Sequence, residues 1–224
     1  MKYILCVCLL ALCWACAGKN ISFEPTTEEC QYYENDFDVD PDDNGDEPDE
    51  YTIAGLPISG IACDFYDSGA LRNKYSLKDG KFHGYALWFY EDGQLDVESS
   101  WNSNQRQGPT KHYYQNGQLK VEAEFPEIGV QGLTKEYYEN GQLSAETYFA
   151  GCQEEDSCKE EGLSKLYYEN GQLKVEANYK NGELDGISKE YYDSGILKSE
   201  SYWEGGQQTQ PTKRYDEDGQ LIGE

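Results

Sequence analysis

Seven glycines set the frame of this chain. Gly69, Gly93, Gly117, Gly141, Gly171, Gly195 and Gly219 follow one another at intervals of 24, 24, 24, 30, 24 and 24 residues, each just after a tyrosine- or phenylalanine-containing run. A fixed period of about 20 to 50 residues means one supersecondary unit stacked on copies of itself, because a unit that small cannot bury its apolar face alone. A second glycine stands nine residues earlier in six of the seven units, at Gly60, Gly84, Gly108, Gly132, Gly162 and Gly186; Gln210 takes its place in the last.

The residue before each spacing glycine predicts a turn. Asn116-Gly117, Asn140-Gly141, Asn170-Gly171, Asp92-Gly93 and Asp218-Gly219 lie between alternating apolar runs, with Ser68-Gly69 and Ser194-Gly195 as weaker variants. Asn-Gly and Asp-Gly suit a two-residue type I′ turn, which needs positive φ at both central residues. The pattern therefore predicts one β-hairpin per unit. With Asn170-Gly171 as the loop, Tyr168 faces Leu173, Tyr167 faces Lys174, Leu166 faces Val175 and Lys165 faces Glu176. Leu166, Tyr168, Leu173, Val175 and Ala177 then form an apolar core stripe, with Lys165, Tyr167, Lys174 and Glu176 on the other face. The same register sets Lys111 opposite Glu122, Lys135 opposite Glu146 and Lys189 opposite Glu200. Cross-strand pairs of opposite charge contribute about 0.2 to 1 kcal/mol each, so four copies favour this register over a one-residue slip.

The recurring motif Y-Y-x-N-G-Q-L-K-x-E, clearest at Tyr167 to Glu176, resembles the bacterial variant of the MORN repeat from about Gly60 to Glu224. The resemblance implies an all-β fold: an elongated single-layer antiparallel sheet of about seven tandem 24-residue hairpins, used for scaffolding or binding rather than chemistry. Some relatives carry the label antitoxin. Composition agrees with a thin fold, since 38% hydrophobic residues with 20 Tyr and one Met leave little aliphatic volume for a thick core. At about 4.8 Å per strand, seven hairpins span on the order of 65 to 70 Å.

Residues 1–17 read as a signal peptide. Lys2 precedes the apolar run from Tyr3 to Ala15, which suits a signal core and is short for a bilayer span. Ala15-Cys16 resembles the end of a lipobox, with Cys16 the lipidated residue, although Cys13 stands where such boxes carry Leu; Ala15-Cys16-Ala17 also fits cleavage before Gly18. Lipidation at Cys16 and a cell-envelope location are the preferred reading, and a soluble secreted form is the alternative. Residues 18–51 read as an acidic, disordered tether, because Thr26 to Glu50 holds 12 acidic residues and no Lys or Arg. Asp40 to Gly45 matches the opening of a calcium loop, but Tyr51 stands where the bidentate Glu belongs, so a solvated charge run is the reading taken. Residues 52–224 form the repeat array, with an insert at 151–162.

Cys30, Cys63, Cys152 and Cys158 remain in the mature chain. Cys152 and Cys158 bracket the insert that stretches one interval to 30, and a disulfide across it leaves Cys30 with Cys63 as the other pair. No CxxC or Cys/His spacing points to a metal, and no cofactor is expected.

Charge restricts the partners. With 43 acidic and 18 basic residues the formal net charge is −25, of which −14 falls on residues 51 to 224. Such a field repels nucleic acid and anionic lipid, so contact with a membrane is expected only through the lipid anchor. His83 and His112 lie in different repeats with no catalytic motif around them, and no enzymatic activity is expected. The expected binding positions lie four residues before each spacing glycine: Phe65, Phe89, Tyr113, Tyr137, Tyr167, Tyr191 and Tyr215, an aromatic ladder on the Lys/Glu face. The alternative is that these rings only stiffen the sheet. The insert is a second candidate. The expected function is a non-catalytic exported scaffold that binds a protein; a carbohydrate-binding module and an antitoxin-type protein are the rivals. Oligomeric state is left open by the sequence.

Overall fold

A computed structural model of the chain describes residues 30–33, 50–124, 132–150 and 158–224. The described residues contain no helix. Strand β1 is Tyr32–Tyr33, and a small separate hairpin joins β2 (Thr52–Ile53) to β3 (Leu56–Pro57). The array follows as β4 (Gly60–Phe65), β5 (Leu71–Lys78), β6 (Lys81–Phe89), β7 (Leu95–Asn102), β8 (Gln105–Arg106), β9 (Pro109–Tyr113) and β10 (Leu119–Glu124). It continues through β11 (Gly132–Tyr137), β12 (Leu143–Ala150), β13 (Lys159–Glu160), β14 (Gly162–Tyr167), β15 (Leu173–Lys180) and β16 (Glu183–Tyr191). β17 (Leu197–Glu204), β18 (Gln207–Gln208), β19 (Lys213–Tyr215) and β20 (Leu221–Gly223) complete it. From β4 to β20 each long strand pairs antiparallel with the next in chain order, and the short β8, β13 and β18 pair with β7, β12 and β17, making seven hairpins in one open layer.

The hairpin turns differ from the expected type. Gly171 N–H donates to the carbonyl of Tyr168 and Tyr168 N–H to that of Gln172, both at 2.8 Å, which closes a three-residue loop. Gly171 has φ +82°, and Asn170 is not among the residues with positive φ. This is a type I turn followed by a one-residue glycine bulge, and the same pair of bonds recurs at all seven spacing glycines. The asparagine serves another purpose: Asn170 Oδ1 accepts the N–H of Gln172 at 2.9 Å, while its Nδ2 donates to the carbonyl of Asp193 on the next hairpin, also at 2.9 Å. The two-residue turns lie between repeats. Asp79-Gly80, Ser103-Asn104, Asn181-Gly182 and Gly205-Gly206 all have positive φ at both residues, the signature of type I′.

The bulge corrects the faces near the loop. Lys165 faces Glu176 and Leu166 faces Val175 as expected, but Tyr167 faces Leu173, not Lys174. Leu173 therefore joins the tyrosine side, and no single core stripe exists. One surface, here the ladder face, carries Tyr167, Leu173, Lys165 and Glu176 with their repeats; the other, the floor face, carries Leu166, Val175, Ser164 and Ala177. On the floor face a row of small residues runs across the strands, and Ala86, Ser99, Thr110, Ala123, Ser164 and Ala177 in it are buried. Large residues beside the row cover it. They stand opposite the second glycines, Leu77 on Gly60, Trp101 on Gly84, Phe149 on Gly132, Tyr179 on Gly162 and Trp203 on Gly186. At Gly84 and Gly186 φ is +99° and +114°, a conformation that glycine adopts readily and other residues rarely. Trp101 and Trp203 also donate their indole N–H to Ser99 Oγ and Ser201 Oγ, at 2.6 and 2.8 Å.

The amino-terminal end is closed on both faces. β1 pairs in parallel with β4, and Cys30 is disulfide-bonded to Cys63. This corrects the expectation of an unstructured segment across 18–51 at residues 30–33, where backbone pairing and the disulfide hold a short strand against the sheet edge. On the floor face, Tyr51, Ile53 and Ile58 from the β2–β3 hairpin pack on Ala62, Tyr75, Leu77, Phe82 and Ala86. On the ladder face, Cys63, Leu71 and Phe89 form a second cluster with Phe65, Leu87 and Leu95.

Candidate interaction surfaces

The aromatic ladder is half-buried along the ladder face, and at Phe89 it is fully buried. Its phenols are anchored to the preceding hairpin: Tyr113 donates to Glu98 at 3.1 Å, Tyr167 to Glu146 at 3.0 Å and Tyr191 to Glu176 at 2.8 Å. Burial, and then the adjacent carboxylate, raises the pKa of Tyr167 and Tyr191 from 10.0 to about 12. Tyr113 shifts upward for the same reasons.

Beside the ladder lies an unbroken row of alternating charge. Glu98, Lys111, Glu122, Lys135, Glu146, Lys165, Glu176, Lys189, Glu200 and Lys213 face one another in register, one per strand from β7 to β19 apart from the short β8, β13 and β18. The expected hairpin pairs are thus in register, but Lys111, Lys189 and Lys213 reach the glutamate of the preceding hairpin instead, Glu98, Glu176 and Glu200, at 3.2, 3.3 and 3.5 Å. Each lysine but the last, Lys213, is flanked by two carboxylates of the row, so the row neutralises itself and links hairpins as well as closing them.

Two residues farther along the strands the ladder face carries four exposed large apolar side chains, with Ser100 opposite Tyr85 and Asn178 opposite Leu163. Tyr85, Tyr148, Leu163 and Ile187 are exposed by 70, 46, 40 and 39%. The members of this row differ in type from repeat to repeat, so no periodic signal marks it in the sequence. The second tyrosine of each unit has a role that the register alone does not reveal. Tyr66, Tyr90, Tyr114, Tyr138, Tyr168 and Tyr192 donate to the carbonyls of Phe89, Tyr113, Tyr137, Tyr167, Tyr191 and Tyr215 at 2.7 to 2.9 Å. The Y-Y dipeptide was the available signal.

Other expected sites fall elsewhere. Cys16, Asp40 to Gly45, Cys152 and residues 151–157 of the insert lie outside the described residues, while Cys158 is disulfide-bonded. His83 and His112 sit on β6 and β9, separate strands. No described helix is long and apolar enough to cross a membrane, a statement that does not bear on strands.

Comparison with known families matches residues 82–103, 106–125, 130–150, 160–181 and 184–204 to the MORN repeat variant. No curated protein matches the chain. The hairpins at Gly69 and Gly219 fall outside those matches yet repeat the same turn bonds. Five tandem matches within seven equivalent hairpins show that residues 82–204 are an array of MORN-variant repeats.

Proposed function

We propose that this protein is an exported, non-catalytic scaffold that docks another protein at the cell envelope. The row Tyr85, Tyr148, Leu163 and Ile187 carries the reading, because exposed apolar side chains rimmed by polar groups favour protein docking. The charge row beside it is already neutralised, so covering it strands no unpaired ion. Stacking on a sugar requires an open aromatic face, and the ladder tyrosines are half-buried with hydroxyls bound to Glu98, Glu146 and Glu176, which favours a protein over a glycan. Lys2, the apolar run after it and Cys16 support export with a lipid anchor.

Affinity capture and cross-linking from envelope extract, with the 18–224 chain as bait, tests the reading. One protein should be retained in stoichiometric amount and lost with the Leu163→Asp, Ile187→Asp variant. Retention of glycan alone, or reproducible turnover of a substrate, overturns it.

A further inference from the structure

Asn116-Gly117, Asn140-Gly141, Asn170-Gly171 and Asn181-Gly182 are the Asn-Gly dipeptides among the described residues, and the last is held differently from the rest. In Asn116, Asn140 and Asn170 both ends of the side-chain amide are engaged. Oδ1 accepts the N–H of Gln118, Gln142 or Gln172 at 2.9 Å, and Nδ2 donates to the carbonyl of Glu139, Glu169 or Asp193 on the next hairpin at 3.3, 3.2 or 2.9 Å. Asn181 stands in the two-residue turn between β15 and β16 with φ +52°, and its side chain makes no hydrogen bond among the described residues. Only its backbone is tied, by an N–H donated to Glu161 Oε2 at 2.9 Å. All four asparagines are exposed, and the N–H of each following glycine donates to a backbone carbonyl, so neither property separates them. The side-chain clamp does.

We propose that Asn181 is a site of spontaneous deamidation, whereas the three asparagines of the hairpin loops are protected by their own hydrogen bonds. A glycine after asparagine has no side chain to shield its backbone nitrogen or to restrict its rotation. Gly182 N forms a bond to Asn181 Cγ and gives its proton to water or hydroxide; the Cγ–Nδ2 bond breaks and ammonia leaves, closing a five-membered imide. Water then opens the imide at either carbonyl, and the backbone continues as aspartate or, through Cγ, as isoaspartate. One water is consumed and one ammonia released, with no change of oxidation state. The unclamped amide of Asn181 turns its Cγ toward the nitrogen at no cost in side-chain bonds. A clamped amide first gives up two hydrogen bonds, which slows the reaction roughly tenfold or more. The product places a carboxylate beside Glu161, whose own carboxylate already accepts the Asn181 N–H, and as isoaspartate it lengthens a two-residue turn by one backbone atom. Both changes work against the contacts that seat this turn on the preceding hairpin, Asn181 N–H to Glu161 and Gly182 N–H to the Glu160 carbonyl at 2.9 Å.

Incubating the 18–224 chain in mildly alkaline buffer, folded and in urea, with peptide mapping by mass spectrometry and enzymatic methylation of isoaspartate, tests the proposal. Mapping assigns each event to its own dipeptide and keeps Asn44-Gly45, outside the described residues, apart from the four compared. In the folded protein the Asn181 peptide should gain acid and isoaspartate roughly tenfold or more ahead of the Asn116, Asn140 and Asn170 peptides. In urea the four rates should converge, because unfolding removes the clamps and leaves the same dipeptide in each. Equal rates at Asn170 and Asn181 in the folded protein overturn the proposal. So does an Asn181 that stays intact in the folded protein while it converts in urea, and so does a difference between the sites that persists unchanged in urea.

Discussion

The phenol of Tyr168 donates to the carbonyl of Tyr191 at 2.8 Å, a bond that crosses from one hairpin to the next. With its five counterparts it forms a rung ladder along the turn edge, and the backbone carbonyl it satisfies belongs to the aromatic position of the following unit. Tyr168→Phe keeps the ring and removes the rung. The expected loss is about 0.5 to 1.5 kcal/mol, read as a lower denaturation midpoint in urea with an unchanged slope.

The two kinds of turn should respond oppositely to glycine. Asn181 has φ +52°, so Asn181→Gly should fall within about 0.5 kcal/mol of wild type. Asn170 lies outside the positive-φ region and makes two hydrogen bonds, so Asn170→Gly should cost about 1 kcal/mol or more. Equal effects in parallel thermal melts would contradict the turn assignment.

Alkaline pH should loosen the array. Tyr167 and Tyr191 have folded-state pKa values raised from 10.0 to about 12. The unfolded chain therefore releases these protons first, and the stability they contribute, complete below about pH 10, is lost as pH rises to about 12. Melting temperature measured across that window should fall, and should fall less steeply in the Tyr167→Phe, Tyr191→Phe variant.

Removing the Cys30–Cys63 link should destabilise one end only. Cys30→Ala with Cys63→Ala should cost about 2 to 4 kcal/mol of local stability. Amide exchange should accelerate in β1 and β4 and stay unchanged in β16 and β17.

The repeat, the hairpin count and the register were legible in the sequence because the lysine and glutamate positions fix strand pairing independently of the loop. The loop itself was misread. Asn-Gly suits both a type I′ turn and a type I turn with a glycine bulge, and only the hydrogen bonds of Tyr168 distinguish them. That single bulge residue moved Leu173 to the other face and dissolved the expected core stripe. Asp79-Gly80 and Asn181-Gly182 carry the same signal at the true two-residue turns. The docking row and the floor were less readable, since each arises from side chains 24 or more residues apart that only the assembled sheet brings into line.

The proposed docking surface depends on the repeats forming one open layer. Small-angle X-ray scattering from the segment Cys30 to Glu224 measures this most directly. An open sheet about 65 Å long, one layer thick, gives a radius of gyration of about 20 Å or more and a pair-distance distribution with a long tail. A value near 16 Å with a symmetric distribution, that of a compact domain of this length, would contradict it.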